Sequence, residues 1–460
     1  MSELPEGWRW STVGELGAYI NGRGFKKTEW AESGRPIIRI QNLTGSGSGF
    51  NYLGGLLEDR YVVPPGALLV SWAATLGVYR WKGPEGALNQ HIFRVRSFID
   101  ENFHRYVLQQ ALDQMQEHTH GSGMVHITRG RFDSTPVPLP PLAEQARIVA
   151  AIEEAFSKLD AGEVGLRTAR RLLKRMRAAV LAAAVTGRLV PQDPTDSPSA
   201  KLLAGLGVEP LNDASLPVLP TSWFWTQVQD VGQVDLGRQR SPKYHSGDNM
   251  KPYLRVANVF EDRIDTSDVM EMHFEPEAFE RSRLAVGDIL LNEGQTPELL
   301  GRPAMYRGEP PDVAFTNSLL RFKAGPGIES EWALLVFRQH MHGGRFARES
   351  RITTNIAHLS AARFKPVEFP VPPIEEQRRV VEEFERLSSV MAACERAVDA
   401  GLARSAALRR SALKAAFEGR LVPQDSSDEP ASVLLERIQA ERVASDGLSG
   451  GRRRKNLEAS

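Results

Sequence analysis

Gly187-Arg188-Leu189-Val190-Pro191-Gln192-Asp193 recurs without change as Gly419-Arg420-Leu421-Val422-Pro423-Gln424-Asp425, at an offset of 232. An identical heptapeptide twice in one chain marks an internal repeat, and a repeat sets the plan of a fold before any element is assigned. Working outward, the same offset pairs Pro140-Pro141-Leu142-Ala143-Glu144-Gln145 with Pro372-Pro373-Ile374-Glu375-Glu376-Gln377, and Asp196, Pro198, Leu202 and Leu203 with Asp428, Pro430, Leu434 and Leu435. Nearer the start, Leu4-Pro5, Trp8 and Trp10 match Leu219-Pro220, Trp223 and Trp225 at 215, and Pro36, Arg39 and Asn42 match Pro252, Arg255 and Asn258 at 216. The drift places insertions and deletions in the N-terminal part of each half, while the C-terminal part keeps its register. Duplication with drift accounts for part of this. The contrast between the parts points further, to two recognition surfaces that are free to differ on one repeated scaffold.

The fixed parts read as long helices. The stretches 142–186 and 374–418 contain no proline. Ile148, Ile152, Ala155 and Leu159 are spaced 4, 3, 4, as are Val380, Phe384, Leu387 and Met391. The pattern runs on through Leu166, Leu173, Met176 and Val180, and through Val398, Leu402, Leu408 and Leu413, a seam near period 3.5. Proline suits the helix starts. Gly187 and Gly419 stand where left-handed caps are wanted, with Pro191 and Pro423 just beyond. Gly162, Gly165 and Gly401 make a bend plausible, at roughly 1 kcal/mol each against alanine. A helix of such length spans about 67 Å, more than one globular domain needs. Its seam requires a partner helix. The two copies in one chain can pair antiparallel about a pseudo-two-fold axis, or each can pair with another chain.

The variable parts, 1–139 and about 216–371, read as mixed α/β domains. Strand-like runs are Ile37–Ile40, Ala67–Val70 and Ile92–Val95 in the first, and Tyr253–Val256, Ile289–Leu291 and Leu319–Phe322 in the second. A helix follows in each, Asn102–Met115 and Glu331–Met341. The fold class expected is therefore α/β: two globular domains joined by two long helices in an antiparallel coiled coil. The boundaries expected are 1–141 and 216–373 for the globular domains. Residues 142–200 form the first long helix with its linker, 374–442 the second with a short helix, and 443–460 a disordered tail carrying Arg452-Arg453-Arg454-Lys455.

With 460 residues, 41% apolar and 25% charged, the composition is that of an ordinary globular protein of two or more domains. There is no apolar run long enough for a membrane span, no basic-then-apolar opening, and one cysteine, Cys394, so the expected location is the cytoplasm. The net charge is zero, unlike many simple DNA-binding modules. Screening acts within about 8 Å, however, so distribution decides. Between Asn21 and Arg39, Arg23, Lys26, Lys27, Arg35 and Arg39 face only Glu29 and Glu32. Between Arg338 and Lys365, Arg338, Arg345, Arg348, Arg351, Arg363 and Lys365 face only Glu349, with Thr353-Thr354-Asn355 interleaved. Asn89-Gln90-His91 and Thr316-Asn317-Ser318 are polar clusters just before strands. Basic stretches give phosphate contacts, and Asn, Gln and Arg forks read base edges. Gln41, Asn42, Arg129, Arg238, Arg240, Lys243, Arg255, Asn258 and Asn317 complete the candidate DNA-binding set. Ile148, Ile152, Leu159, Leu173, Met176, Val380, Phe384, Met391, Leu402 and Leu408 are the candidate helix-pair and subunit interface.

Catalytic signatures are missing. There is no Asn-Pro-Pro or Asp-Pro-Pro, no Gly-x-x-x-x-Gly-Lys-Ser/Thr phosphate loop, no lysine with an acid two places before it, and no cysteine cluster for zinc. His118 and His120 could pair on a metal, but Glu117–His126 reads as polar turn residues. Gly45-Ser46-Gly47-Ser48-Gly49 reads as a flexible loop.

Together these features resemble the specificity subunit of type I restriction–modification systems over essentially the whole chain. The carriers are the two Leu-Pro-x-x-Trp-x-Trp openings, the two Pro-Pro-x-x-Glu-Gln helix starts and the two Gly-Arg-Leu-Val-Pro-Gln helix ends. The resemblance implies that each globular domain reads one half of a bipartite target in double-stranded DNA through the major groove. It implies that the paired helices set the spacer and dock two methyltransferase subunits, and that a motor-nuclease subunit joins them. S-adenosylmethionine, ATP and magnesium would belong to those partners, leaving this chain with no catalytic residue, metal or cofactor, and no membrane. Two other classes stay open on the residues alone: a coiled-coil scaffold without a DNA role, and a single-chain modification enzyme.

Overall fold

The computed structural model describes residues 3–47, 49–117, 127–197, 199–353 and 356–443, with the backbone alone at 351–353. By its contacts the chain divides into two units, Met1–Gly165 with Gly401–Ser460, and Leu166–Ala400. Each unit thus combines one variable segment with the start of the long helix that follows it and the end of the other.

In the first unit, Arg9–Thr12 pairs antiparallel with Pro136–Leu139, tying the two ends of the variable segment together. Between them lies a four-stranded sheet in the order Gly17–Asn21, Ile92–Ser97, Leu68–Ser71, Gly77–Arg80. A second, five-stranded sheet contains Arg35–Ile38 running parallel to Gly86–Leu88. The helix Glu101–Glu117 buries Phe103, Val107, Leu108 and Leu112 in a core shared with Trp8 and Phe132. The second unit repeats the plan. Phe224–Gln227 pairs with Glu368–Val371, and a four-stranded sheet runs Gly232–Leu236, Leu319–Ala324, Ile289–Asn292, Pro303–Met305. Met250–Leu254 lies parallel to Ala314–Phe315, and the helix Ser330–His342 covers the core through Trp332 and Phe337.

The strands expected at 67–70, 92–95, 289–291 and 319–322 are present, as are both helices. Two strands stop earlier than their apolar pattern does. Ile40 opens a short helix, Ile40–Thr44, and Val256 a single turn, Val256–Asn258. The cause is local: the Asn42 carbonyl oxygen accepts from the Arg39 N–H at 3.0 Å and that of Asn258 from the Arg255 N–H at 3.1 Å. A side-chain acceptor offered to the backbone competes with the sheet ladder and turns the chain.

The long helices span Leu142–Val185 and Ile374–Phe417 and run unbroken through Gly162, Gly165 and Gly401. Gly187 and Gly419 cap them in the left-handed region, at φ 69° and 67°, and the following residues donate back, Arg188 to Ala183 at 2.9 Å and Arg420 to Ala415 at 2.8 Å. Within the first unit Arg409 reaches Asp160 at 2.6 Å and Ser405 reaches Glu163 at 2.8 Å. Within the second, Arg170 pairs with Asp399 and Arg177 with Glu395 at 3.4 Å. In both, numbers fall on one helix as they rise on the other, so the helices pack antiparallel. These pairs lie largely in solvent and each is worth about 0–1 kcal/mol, so they fix direction more than stability.

The seam is not uniform. Ile148 and Ile152 belong to the core of the first unit, Val380 and Phe384 to that of the second. Met391 is buried, while Leu159, Leu173 and Leu402 are half-buried. Met176 and Leu408 are 46% and 49% exposed and stand outside the helix-to-helix contact. A 3.5-residue repeat read along a straight helix of 3.6 residues per turn drifts off the contact line by about 20° per heptad.

One buried group makes the first unit acid-sensitive. His104 is fully buried between the hydroxyls of Tyr19 at 2.8 Å and Ser97 at 2.7 Å, and burial pushes its pKa down to about 3. The unfolded chain takes up this proton near pH 6.5 and the folded one only near 3, so falling pH favours unfolding throughout that window. At pH 4.5 the penalty is about 3 kcal/mol. We expect the thermal midpoint of the first unit to drop between pH 7 and 4.5, and His104→Gln to remove most of that pH dependence. An unchanged slope in the variant would assign the effect to other groups.

Candidate nucleic-acid interface

In each unit the ends of three strands bring the candidate residues together. In the first, Ile38 lies beside Leu88 in the parallel pair, so Arg39 emerges next to Asn89. Arg23 bridges to Asn89 from the other side: its N–H donates to the Leu88 carbonyl at 3.2 Å, and its own carbonyl accepts from the Gln90 N–H at 2.9 Å. The Trp72 N–H donates to the His91 carbonyl at 3.2 Å. In the second unit Leu254 lies beside Phe315, which sets Arg255 next to Thr316. Arg238 bridges to Thr316, with its N–H on the Phe315 carbonyl at 3.0 Å and its carbonyl accepting from Asn317 at 3.1 Å. The Glu293 N–H donates to the Ser318 carbonyl at 3.0 Å. The two shelves therefore share three backbone hydrogen bonds, each with two arginines against a polar tripeptide.

Side chains hold the shelf arginines in place. The Arg23 guanidinium pairs with Glu29 at 2.7 Å and lies 4.0 Å over the Phe25 ring. The hydrogen bond from Arg23, and then one from the Lys26 backbone, hold the Glu29 carboxyl below its usual pKa. Arg238 pairs with Glu275 at 2.5 Å and stacks 3.9 Å over Tyr244. Hydrogen bonds from Arg238 and then Lys243 lower the Tyr244 phenol from its ordinary value. Arg255 pairs with Asp268 at 2.5 Å, and Arg39 donates to the Gly49 carbonyl at 3.3 Å. A planar guanidinium fixed on an aromatic face with one edge on a carboxylate is pre-organised for a second planar or tetrahedral anion.

The other candidates divide. Lys26, Lys27, Gln41, Gln90, Arg240, Lys243, Asn317 and Arg348 are exposed, and Asn89 is half-buried. Asn258 is 2% exposed, and its amide donates to the carbonyls of Asp265 at 2.9 Å and Asp268 at 3.0 Å. It cannot offer that amide to a base; like Asn42, which donates to Gly49 at 3.0 Å, it builds the turn that aims its arginine. Arg345 is held by Glu368 at 2.8 Å and Glu349 at 2.6 Å, and so ties a helix to the edge strand. Arg129 donates to the Tyr19 carbonyl at 2.9 Å and pairs with Asp133 at 2.6 Å. Arg351 and Thr353 lie on the strand Arg351–Thr353, with their side chains outside the described residues, as are Thr354 and Asn355 altogether. His118, His120 and the tail from 444 also lie outside the described residues. His91 adopts φ 71°, and its buried Nδ1 has no hydrogen-bond partner among the described residues. Left-handed backbone at a residue other than glycine is uncommon, though histidine tolerates it better than most, and it gathers at binding surfaces.

Sequence reading missed Trp72 and Glu293. Each follows an apolar strand by one residue and reads as a loop position; only the backbone bond to His91 or Ser318 puts it on the shelf. Among the described residues no group of three His, Cys, Asp or Glu side chains could hold a metal ion, and no helix is long and apolar enough to cross a membrane.

A family profile described as the type I restriction modification DNA specificity domain matches residues 5–164. The EcoBI specificity subunit of Escherichia coli, from a type I restriction enzyme, is 27% identical over 476 residues, covering 98% of this chain and 96% of that one. The EcoKI specificity subunit of Escherichia coli strain K12 is 22% identical, with 98% and 99% covered. Over nearly its whole length the chain is similar to type I restriction–modification specificity subunits. The fold agrees with solved ones of that kind. A chain from a structure addressing complex assembly and conformational transition of the type I R-M system aligns with a TM-score of 0.63, at 19% identity, over 91% of this chain and 100% of that one. The HsdS subunit of Thermoanaerobacter tengcongensis gives 0.54 at 20% identity, over 91% and 98%.

Proposed function

We propose that this chain is a type I specificity subunit that binds double-stranded DNA, each unit reading one half of a bipartite target with its shelf. The observation that carries the reading is the doubled site. Two arginines, Arg23 with Arg39 and Arg238 with Arg255, are set by the same backbone bonds in both units, while the residues between them differ. Guanidinium forks suit phosphate oxygens and guanine edges; Asn89, Gln90 and Asn317 carry the amides that suit adenine. The long helices, with exposed Val164, Leu172, Met176, Val390 and Leu408, offer apolar surface to two methyltransferase subunits, and motor-nuclease subunits complete the assembly. Chemistry and its cofactors, S-adenosylmethionine, ATP and magnesium, fall to those partners.

The test is an exchange. Residues 216–371 are replaced by the matching segment of another specificity subunit, the complex is expressed with its methyltransferase, and the modified motif is read by methylome sequencing. One half of the motif should change and the other persist. A change in both halves, or in neither, would refute modular reading.

A further inference from the structure

We infer that Glu293, and Trp72 at the equivalent position of the other unit, are specificity-determining residues, Glu293 by accepting a hydrogen bond from a cytosine amino group and Trp72 by packing on a thymine methyl. The inference rests on the DNA-reading function proposed above. A feature common to two readers of different half-sites cannot tell those half-sites apart; what differs on an otherwise identical shelf can. The register makes the comparison strict. Ile92 faces Ser71 as Leu319 faces Asn292, so Trp72 and Glu293 both come one residue after the paired strand. Each then receives a backbone hydrogen bond from the residue two places before a short helix, Ile127 to the Trp72 carbonyl at 3.3 Å and Leu359 to the Glu293 carbonyl at 2.8 Å. The arginines are constant across the two shelves. The changes are Asn89 to Thr316, Gln90 to Asn317, His91 to Ser318 and Trp72 to Glu293.

The last is the largest change in chemistry. A carboxylate on a surface that receives phosphates repels them, so Glu293 weakens binding unless it meets a donor. In the free protein its carboxylate is 3.4 Å from Nδ1 of His358. In the major groove the matching donor is the cytosine N4 amino group. Trp72 carries no carboxylate, and its one polar group, the indole N–H donor, is buried. Its ring stacks on Phe93, with centroids 5.7 Å apart, and meets His91 edge-on at 4.9 Å, which leaves an apolar wall fixed beside the same tripeptide. Thymine carries the one methyl group in the groove.

The test uses the full subunit assembled with its methyltransferase and selects from a random duplex pool, so that catalysis is not required. For Glu293→Gln, one cytosine should relax or shift to adenine, by about tenfold or more, in the half-site that the 216–371 exchange identifies, because glutamine both donates and accepts. For Trp72→Ala, replacing thymine by deoxyuridine in the other half-site should no longer weaken binding, whereas the wild type loses about fourfold, the worth of one methyl. A Glu293→Gln complex that assembles and enriches the wild-type motif overturns the role of Glu293 and leaves it as the partner of His358. Wild-type sensitivity to deoxyuridine retained in Trp72→Ala overturns that of Trp72. A wild-type complex that enriches no bipartite motif would instead overturn the DNA-reading function itself.

Discussion

Affinity for duplex target should fall on the order of 100-fold when Arg23 and Arg39 are both replaced by alanine, and by a similar factor for Arg238 and Arg255. The estimate follows from two charge-assisted contacts, together worth about 2–3 kcal/mol. If the contacts are to phosphates, the slope of log affinity against log salt becomes shallower by about 1.8 for either pair, since each neutralised phosphate contributes about 0.9. The carboxylates that hold Arg238 and Arg255 are not stranded by the change, because Glu275 and Asp268 are 56% and 75% exposed and remain hydrated. Lysine at the same positions separates charge from geometry: the salt slope should return while much of the affinity loss remains, because an ammonium cannot keep the fork. Filter binding or anisotropy of the assembled complex across a salt series makes the measurement. An unaltered slope in the alanine variants would remove these arginines from the phosphate contacts.

Replacing Glu144 by alanine should destabilise the first unit by up to about 3 kcal/mol, and Glu376→Ala the second by as much. Glu144 is 1% exposed and accepts from the Trp8 indole at 2.9 Å and from the Gln424 amide at 2.9 Å. Glu376 accepts from Trp223 at 2.8 Å and from Gln192. Removing the carboxylate leaves the buried indole N–H without its acceptor, at about 1–3 kcal/mol, while the exposed Gln424 and Gln192 keep their bonds to the Gly419 and Gly187 carbonyls. Around each node runs an ion pair of the same design, Arg147 with Asp428 and Arg379 with Asp196, both at 2.6 Å. Burial raises the pKa of both carboxyls above the ordinary carboxylate value. The folded node therefore keeps its proton to higher pH than the unfolded chain does, and its contribution shrinks as pH rises through that window. Hydrogen exchange resolved by peptide locates the effect. Glu144→Ala should deprotect segments of Met1–Gly165 and the end of the second long helix and spare 166–400; uniform loss in both units would mean that the node acts beyond its own unit.

This node explains why the repeated motifs keep their residue types. Leu-Pro-x-x-Trp, Pro-Pro-x-x-Glu-Gln and Gly-Arg-Leu-Val-Pro-Gln look like three separate signatures along the chain. In the fold one Trp, one Glu and one Gln from the three meet in each unit. Gly419 carries φ 67° and faces the Pro5 ring, and a Cβ there would stand 2.3 Å from Pro5 Cγ. Gly187 meets Pro220 in the same way. The segment after each long helix therefore closes onto a globular domain through a shared carboxylate: Gln424 meets Trp8 at Glu144, and Gln192 meets Trp223 at Glu376.

The sequence by itself determined the duplicate plan, the extent of both long helices and their glycine caps, the principal strands and the paired arginines. These depend on local rules, on the spacing of apolar residues and on identity at a fixed offset, all of which can be read along one dimension. Only the tertiary structure decided that Asn258 is locked inside a turn while Arg255 lies half-buried against Asp268, that Arg345 braces the fold, that Met176 and Leu408 face solvent, and that Trp72 and Glu293 stand beside the polar tripeptides. Whether a polar side chain meets solvent or a neighbouring carbonyl depends on which strands lie beside it. Those neighbours come from segments tens of residues away, and no periodicity in the chain records them.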